Sequence, residues 1–496
     1  MARGLADGVL HPRWMSEANR GFGSAALMNY PPLGGYLTGA VSLLTGDLVS
    51  AFLVILLVVT ALSGVTFYIC ARSLAPPLGS ALATALYLLA PYRSIDLHAR
   101  FAFAEVLAFL WLPLIVKFLF DLQRRPRLRS WTGLVVAGTG LVVTHVLSAL
   151  MVLVVVGPVV LWVVLRERRW SSIAGLLAAG LAIVALAAFY LLPLSVDRDL
   201  TYIEYLTDAW WGDWRTNFLL SEPSGPMAVD RPIQPLVEAS FWYSLVLLVV
   251  SAGFAWRSGD RVIKGVVAAG AIAILLQLEV SALLWRLLPG MDLLQFPWRF
   301  QSLLALVSCL LVAGGAARMR WKTGFLVGIA TAAAALFAVL LWRGIAYDVT
   351  ASAVAEADIG GLVFKEHMPR GVEDWQRFEE LPLAGAARVV TTSAASVEVG
   401  EWSSHRRRVG ITAAQPAQVV LRTFYYPGWE ATLDGVPVDL EVLPPLYTLG
   451  VKVPAGEHLL EVQFAPTPVR VLGSVVSVLA AGLLALANLR RQRRTA

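Results

Sequence analysis

The chain has 496 residues, of which 57% are hydrophobic and 15% are charged, and its mean hydropathy is +0.68. This is more apolar surface than one water-soluble fold can bury, so the composition predicts a membrane protein and excludes a disordered chain. Two cysteines, Cys70 and Cys309, are too few for a disulfide scaffold. The net charge of +6 does not indicate nucleic-acid binding, because the basic residues cluster beside hydrophobic segments.

The amino-terminal segment, residues 1–47, is polar and lacks the apolar core of a signal peptide. We expect it to lie outside the cytoplasm, with one more helix preceding it in the natural protein. Arg13 lies beside Trp14, which we expect at the membrane interface, so Arg13 can bind a phosphate at headgroup depth. Tyr30, which precedes two prolines, is a second candidate substrate contact. An ordinary entry loop with aromatic anchors is the alternative. The sequence of residues 30–45 predicts an interfacial or re-entrant helix.

Apolar segments long enough to cross a bilayer recur along the chain. A hydrocarbon core about 30 Å thick needs roughly 20 residues of helix, and about eleven segments meet this requirement. Arginine and lysine mark every second junction and the carboxy-terminal tail, which the positive-inside rule places in the cytoplasm. The other connections then face outward. The predicted spans are 48–70, 75–91, 102–120, 131–147, 149–166, 172–194, 240–256, 265–286, 300–317, 324–343 and 470–489.

One outward loop, residues 91–101, carries the densest set of candidate site residues. Tyr92, Arg93, Asp96 and Arg100 lie in it, and Glu105 follows one turn into the next span. An ionisable group at membrane depth is costly, so Glu105 must face a wet cavity or pair with Arg100 or Arg93. Such a carboxylate can act as a general base or hold a divalent cation, and the arginines can bind a phosphate leaving group. The alternative is an ion-paired loop that fixes helix ends.

Three further features complete the candidate set. His145, near the outer end of a span, is either a substrate contact or a hydrogen-bond partner of a neighbouring helix. Arg299 follows Pro297 and Trp298, and we expect it to be an outward cation near the lipid phosphates. It either binds a lipid-linked phosphate or is an anchor whose side chain snorkels to the interface. The loop after residue 194 mixes acids with aromatics, including Trp210 and Trp211, which suits sugar recognition or a headgroup-level lid.

The carboxy-terminal third predicts a small extracytoplasmic β-sandwich between about residues 347 and 468. Valine and threonine alternate with polar residues, and turn signals recur at Gly400, Asp434-Gly435 and Pro454-Ala455-Gly456. The predicted strands are 388–392, 396–399, 406–412, 417–425, 429–433, 446–453 and 458–464. The predicted domains are an outer loop with an interfacial helix (1–47), a transmembrane domain (48–343), the β-rich domain (344–469) and a last helix with a basic tail (470–496).

The motifs taken together resemble the bacterial YfhO-like and pyruvoyl-tetrahydropterin-synthase-related membrane proteins, relatives of the GT-C glycosyltransferases. The matching motifs cover most of the chain in order. They are Gly8 to Trp14, Tyr30-Pro31-Pro32-Leu33, Ala90-Pro91-Tyr92-Arg93 through Arg100 and Glu105, Gln295-Phe296-Pro297-Trp298-Arg299, Tyr426-Pro427-Gly428-Trp429, Asp434-Gly435 and Pro454 to His458.

The resemblance implies a GT-C-like, polytopic α-helical membrane protein of about eleven transmembrane helices with a carboxy-terminal β-sandwich domain. It implies an inverting glycosyltransferase of the inner (plasma) membrane that transfers sugar from a polyprenyl-phosphate donor to an envelope glycan or lipid acceptor. GT-C enzymes usually place a catalytic acid after the first helix, so that acid is expected upstream unless Asp7 or Glu17 replaces it. Candidate catalytic residues are Glu105, Asp96 and Asp7, and candidate substrate-binding residues are Arg13, Tyr30, Tyr92, Arg93, Arg100, His145 and Arg299.

No metal ligand set is predicted, although Mg²⁺ or Mn²⁺ is compatible with the acids. The expected partners are the lipid-linked sugar, membrane lipids and the envelope acceptor, and no nucleic acid. Two alternatives stay open. A transporter or flippase of a lipid-linked intermediate would use the same arginines without a general base, and a non-catalytic envelope assembly protein would act through its β-domain.

Overall fold

The computed structural model of the protein describes residues 1–208, 212–221, 233–256, 260–316, 363, 365–373, 378 and 387–495, with isolated positions between 328 and 339. The chain divides into two compact units. The β-domain unit comprises residues 1–52, 188–205 and 351–477, and the helical unit comprises residues 53–187, 206–350 and 478–496. The predicted span 324–343 lies largely outside the described residues, as do Trp210 and Trp211.

Helices account for most of the described chain outside the strands. In chain order they are α1 Ala2–Ala6, α2 Ala26–Asn29, α3 Pro32–Thr45, α4 Leu48–Ala71, α5 Pro77–Leu88, α6 Pro91–Ser94, α7 Phe103–Ala108, α8 Trp111–Arg124, α9 Leu128–Thr144, α10 Val146–Arg166, α11 Trp170–Leu186, α12 Ala188–Asp197, α13 Tyr205–Asp208, α14 Ile233–Ala255, α15 Arg261–Leu275, α16 Ala282–Leu287, α17 Gln301–Ala316 and α18 Pro468–Thr495. Short 3-10 turns lie at Asn19–Gly21, Arg198–Leu200, Trp214–Thr216, Glu279–Ser281, Asp292–Leu294, Pro297–Phe300 and Lys365–His367, and a π-helix at Ile95–Ala99.

Several of these helices are long and apolar enough to cross a membrane. Among the described residues there are six, or seven if Trp170–Leu186 and Ala188–Leu200 together form one broken span. The multi-pass helical character predicted from hydropathy is therefore confirmed. The six are Leu48–Ala71, Phe103–Arg124, Val146–Arg166, Ile233–Gly253, Pro297–Ala316 and Pro468–Arg491.

Other predicted spans are shorter or interrupted in the structure. In the predicted span 75–91 the structure has the 12-residue helix α5. In the predicted span 131–147 it has the 17-residue helix α9, which ends at Thr144. The window 265–286 is not one helix, because α15 stops at Leu275 and α16 starts at Ala282. Hydropathy averages over such breaks, since apolar residues flank them on both sides. The helix predicted at residues 30–45 is present as α3.

The carboxy-terminal β-sheet region is also confirmed, with two short strands that the prediction lacked, β6 and β7. A four-stranded sheet has the order β1-β4-β8-β7 and a five-stranded sheet the order β2-β3-β9-β5-β6, with antiparallel pairing throughout. The strands are β1 Val389–Thr391, β2 Ala395–Trp402, β3 Arg406–Ala413, β4 Ala417–Phe424, β5 Trp429–Leu433, β6 Val436–Val438, β7 Glu441–Leu443, β8 Thr448–Val453 and β9 Gly456–Phe464.

The buried faces of the two sheets contribute to one apolar core. Val409 and Val462 from the five-stranded sheet and Val419 and Leu449 from the four-stranded sheet are fully buried in it. Alternating burial along β3 and β4 places these side chains inward, as expected for strands with one solvated face. Asp434 and Gly435 both have positive φ and join β5 to β6, which is the turn that this dipeptide predicts.

The amino-terminal segment belongs to this core. Trp14 is only 1% exposed, and its ring packs against Tyr426, Trp429 and Phe464 with centroids 5.6–6.0 Å apart. Gly23, at φ +90°, lies so close that an added Cβ would be 2.3 Å from the indole nitrogen of Trp14. The prediction that Trp14 is an interfacial anchor is therefore wrong, because its ring fills the β-domain core instead.

Three histidines of the β-domain unit are held neutral by the fold. His367 is 2% exposed, and its Nδ1 lies 3.3 Å from the Asn29 side-chain amide. The backbone N–H of Arg13 donates to Nε2 of His405 at 3.1 Å, which requires an unprotonated nitrogen at that position. Burial lowers the pKa of His11, His367 and His405 to about 4.

The free energy of unfolding of the β-domain unit is therefore expected to fall as the pH is lowered from 6.5 to 4. In this window unfolded histidines, with an ordinary pKa of 6.5, bind protons that the folded ones exclude, so acid favours the unfolded state. Half-buried His458 opposes the trend, because its hydrogen bond with Asp434 raises its pKa. Hydrogen exchange of the strands, corrected for intrinsic rates, measures the slope. His405→Gln should make it shallower, and an unchanged slope in that variant would contradict this account.

Candidate functional site

The best-formed candidate site lies in the helical unit, where the chain turns between α6 and α7. Pro91 starts α6, and the π-helix Ile95–Ala99 follows directly. Phe101 then adopts φ +49° before α7 begins at Phe103. A π-helix is rare and is frequent at functional sites, because its wider turn changes the direction of side chains. This turn brings Asp96, Arg100 and Glu105 together.

Glu105 is the centre of the site. Its carboxylate is 1% exposed, and Oε1 accepts a hydrogen bond from the Tyr92 hydroxyl at 2.8 Å. Oε2 accepts from Arg100 at 3.0 Å and lies 3.8 Å from Nε of Arg299. The prediction that Glu105 pairs with an arginine is confirmed for Arg100. We call Tyr92, Asp96, Arg100, Glu105 and Arg299 the Glu105 cluster.

Asp96 supplies the second carboxylate of the Glu105 cluster. It is fully buried, and its Oδ1 accepts from Arg100 at 2.5 Å. Its Oδ2 is buried without a hydrogen-bond partner among the residues that the structure describes. Burial, together with the neighbouring Glu105 carboxylate, holds the pKa of Asp96 well above its ordinary value. Asp96 is thus the more basic of the two carboxylates, since Glu105 receives several donors and Asp96 receives one arginine.

Aromatic rings hold the two arginines of the Glu105 cluster. The Arg100 guanidinium lies 4.5 Å from the ring centre of Trp298, and that of Arg299 lies 5.1 Å from Phe296. Arg299 also donates to the Leu294 carbonyl at 3.1 Å and is 8% exposed. The snorkelling interpretation of Arg299 is therefore wrong, because the side chain turns inward to a carboxylate. Its Nε makes no hydrogen bond within the described part of the chain.

Two other candidates from the helical unit have different partners. Arg93 is 3% exposed and donates to the hydroxyls of Ser63 at 2.7 Å and Thr60 at 3.0 Å, both on α4. His145 lies between α9 and α10, with its Nδ1 2.7 Å from the Ser148 hydroxyl. Its partner is thus on the helix that it precedes rather than on a neighbouring one. Arg93 is a buried cation whose hydrogen-bond partners here are neutral, which adds to the positive charge of this region.

Asp7, Arg13 and Tyr30 lie in the β-domain unit. Asp7 accepts from the backbone N–H of Ser404 at 2.8 Å, and hydrogen bonds with Ser404 keep its pKa below its ordinary value despite some burial. Arg13 is 8% exposed, and burial lowers its pKa to about 10, so it stays charged at neutral pH. Tyr30 is 58% exposed, with its ring against His367. A role for these three in substrate binding or catalysis stays a prediction.

Sequence reasoning did not identify one buried ion pair of the β-domain unit. Arg470, with no exposed surface, donates from Nε and Nη2 to Oδ2 of Asp197 at 3.1 and 3.0 Å. The Tyr426 hydroxyl donates to the Asp197 backbone carbonyl at 3.2 Å. The only sequence signal was an arginine within the first turn of a hydrophobic helix. The described residues contain no group of three or more His, Cys, Asp or Glu side chains placed to hold a metal ion.

Apolar helices of spanning length and a buried carboxylate–arginine cluster together define a multi-pass membrane protein with a charged internal site. The chain belongs to the family of membrane proteins described as 6-pyruvoyl-tetrahydropterin synthase related, whose model matches residues 27–354. That range includes every member of the Glu105 cluster and precedes the β-strands. No curated protein and no solved structure matches the chain.

Proposed function

We propose that this protein is a GT-C-type glycosyltransferase of the plasma membrane, with about eleven spans, that transfers a sugar from a polyprenyl-phosphate donor to an envelope acceptor. The proposal places the Glu105 cluster and the β-domain outside the cytoplasm. This orientation is supported by the position of the cluster at the start of two helical segments, Phe103–Arg124 and Pro297–Ala316. The first of these segments ends in a basic junction. By the positive-inside rule that junction is cytoplasmic.

The charge balance of the Glu105 cluster is the observation that carries the proposal. Glu105 is the carboxylate held by several donors, whereas the raised pKa of Asp96 favours its neutral form. With Asp96 neutral, the two positive charges of Arg100 and Arg299 exceed the one negative charge of Glu105 by one. A buried excess of positive charge favours an anionic ligand, and guanidinium groups bind phosphate oxygens well. The Nε of Arg299 is the proposed donor to such a phosphate, because it makes no hydrogen bond among the described residues, although it lies 3.8 Å from Glu105.

The same geometry suggests roles for the residues in a single displacement. Asp96 in the minor population that has lost its own proton accepts the proton of the acceptor hydroxyl as the hydroxyl oxygen attacks the anomeric carbon. The proton goes to Oδ2, which has no hydrogen-bond partner among the described residues. The bond between the anomeric carbon and the phosphate oxygen breaks, and Arg100 and Arg299 stabilise the polyprenyl phosphate that leaves. Glu105 positions the two arginines and does not itself take the proton. Tyr92 fixes the orientation of Glu105 through its hydroxyl.

Transfer assays in proteoliposomes test the proposal. A panel of radiolabelled polyprenyl-phosphate sugars is supplied with envelope extract, and both donor binding and sugar transfer are measured. Arg299→Gln is expected to weaken donor binding about ten- to a hundredfold, because charge-assisted hydrogen bonds to the phosphate are lost. Arg286→Gln, an exposed arginine of α16, is the matched control and should bind donor normally.

The same assay separates the enzyme from a transporter. If labelled donor crosses the bilayer without any transfer of its sugar, the protein is a transporter or flippase and the proposal is wrong. If no donor of the panel binds and deletion of residues 350–465 abolishes envelope assembly, a non-catalytic assembly role replaces it.

A further inference from the structure

A cavity in the helical unit is distinct from the Glu105 cluster. Six helices line it: α8, α9, α10, α11, α15 and α17. Its volume is about 490 Å³, within the range of about 300–1,000 Å³ that holds a drug-sized ligand. Phe120 in its wall follows Glu105 by fifteen residues, which corresponds to about 20 Å along a helical segment. The two sites are therefore near opposite ends of that segment.

The wall of this cavity is apolar. Val155, Val266 and Leu306 are typical lining residues, contributed by α10, α15 and α17. Protein interiors are close-packed, with few voids larger than a water molecule, and water is poorly held where polar partners are scarce. An apolar cavity of this size therefore favours an apolar occupant.

The rim of the cavity is basic. Arg127, Arg169 and Arg261 line it with a single carboxylate, Glu167, so positive charge exceeds negative by two. Glu167 pairs with both Arg169 and Arg261 at 3.0 Å. Arg127 is exposed and contacts no carboxylate within the described residues. An anionic group next to Arg127 would offset part of this positive excess.

We infer that this cavity binds an anionic phospholipid of the bilayer, with an acyl chain between the helices and the headgroup phosphate at Arg127. The apolar wall and the basic rim, which occur together, match the two halves of such a molecule. Basic pockets between transmembrane helices are a known means of binding anionic headgroups. This site does not depend on the proposed transferase function, because no member of the Glu105 cluster lines it.

A steric variant tests occupancy of the cavity. Gly175 on α11 lines it, and an added Cβ meets nothing within 4 Å, so Gly175→Leu begins its side chain in open space. Gly180 on the same helix is equally open but does not line the cavity, so Gly180→Leu is the matched control. Native mass spectrometry of the full chain with dioleoyl phosphatidylglycerol measures binding. Gly175→Leu should weaken binding at least about tenfold, and Gly180→Leu less than about twofold.

A charge variant tests recognition of the headgroup. Arg127→Gln should weaken phosphatidylglycerol binding about fivefold, since one basic residue near an anionic membrane surface contributes about that factor. Arg129→Gln makes the same charge change two residues away, outside the cavity lining, and should have little effect. Phosphatidylcholine with the same acyl chains should bind less tightly than phosphatidylglycerol.

Three results would overturn the inference. Equal binding of the two lipids would show that the site does not recognise an anionic headgroup. Equal effects of the two arginine variants would show that Arg127 does not contact the headgroup. Unchanged lipid binding in Gly175→Leu means that the lipid lies elsewhere or that another segment of the chain fills the cavity.

Discussion

Replacement of Asp96 by asparagine is expected to lower the rate of sugar transfer by about two to four orders of magnitude, with donor affinity unchanged. Asparagine has the same shape and keeps an oxygen for Arg100, but it cannot accept a proton. Because the pKa of Asp96 is raised, kcat/KM of the natural chain should increase with pH until that carboxyl is deprotonated. The variant should lose this dependence. Proteoliposome assays across a pH series, with separate measurement of donor binding, give both quantities.

A matched control is available on α8 of the same unit. Asp121 is partly buried and paired with Lys117 at 2.5 Å, so Asp121→Asn makes the same chemical change at an ion pair outside the cluster. Its transfer rate should stay within about twofold of the natural chain. Full activity of Asp96→Asn would exclude Asp96 as the base. Loss of donor binding in that variant would instead assign Asp96 to substrate binding.

The substitution Arg470→Met should destabilise the β-domain unit by about 3–5 kcal/mol. Arg470 and Asp197 are both buried, and removal of the guanidinium leaves the carboxylate without its ionic partner. Methionine retains most of the apolar stem of Arg470 but removes the guanidinium, which lies over the rings of Tyr426 and Phe464. Hydrogen exchange of strands β4, β5 and β9 at neutral pH reports the free energy of opening. The helical unit serves as an internal reference.

The double variant Asp197→Asn/Arg470→Met isolates the ion pair. It should be less destabilised than Arg470→Met, because a buried amide is cheaper than a buried unpaired carboxylate. If the single and double variants are equally stable, the Asp197 carboxylate carries no uncompensated charge and the explanation is wrong. The exposed pair Lys452–Glu441 is the surface control, for which Lys452→Met should change stability by less than about 1 kcal/mol.

The β-strands could be predicted closely because each has a local signal. In β3 and β4 inward and outward side chains alternate, and positive-φ residues occupy the predicted turn at Asp434-Gly435. The two strands that were missed, β6 and β7, have three residues each and no buried side chain, so they carry little pattern. Hydropathy likewise located the apolar helices. It did not resolve where they break, because the apolar residues on both sides of residues 276–281 keep the average hydropathy of the segment high.

The candidate site was predictable in part. Arg100 and Glu105 are five residues apart, so a local turn can pair them, and membrane depth demanded a partner. Arg299 reaches the same carboxylate from 194 residues further along the chain, a contact that only the packing of α7 and the segment Pro297–Ala316 could decide. The raised pKa of Asp96 also depends on its burial, which the neighbouring residues in the sequence do not determine.

The amino-acid sequence by itself determined that this protein is helical and multi-pass, that a β-rich domain precedes its last helix, and that charged residues gather at residues 91–105. These properties follow from composition, periodicity and local turns, which act over a few residues. Only the tertiary structure decided that Trp14 fills the β-domain core, that Arg470 pairs with Asp197, and that Arg299 turns inward. Burial and ion pairing depend on groups distant in the chain, and their energies depend on the solvent exclusion that folding creates.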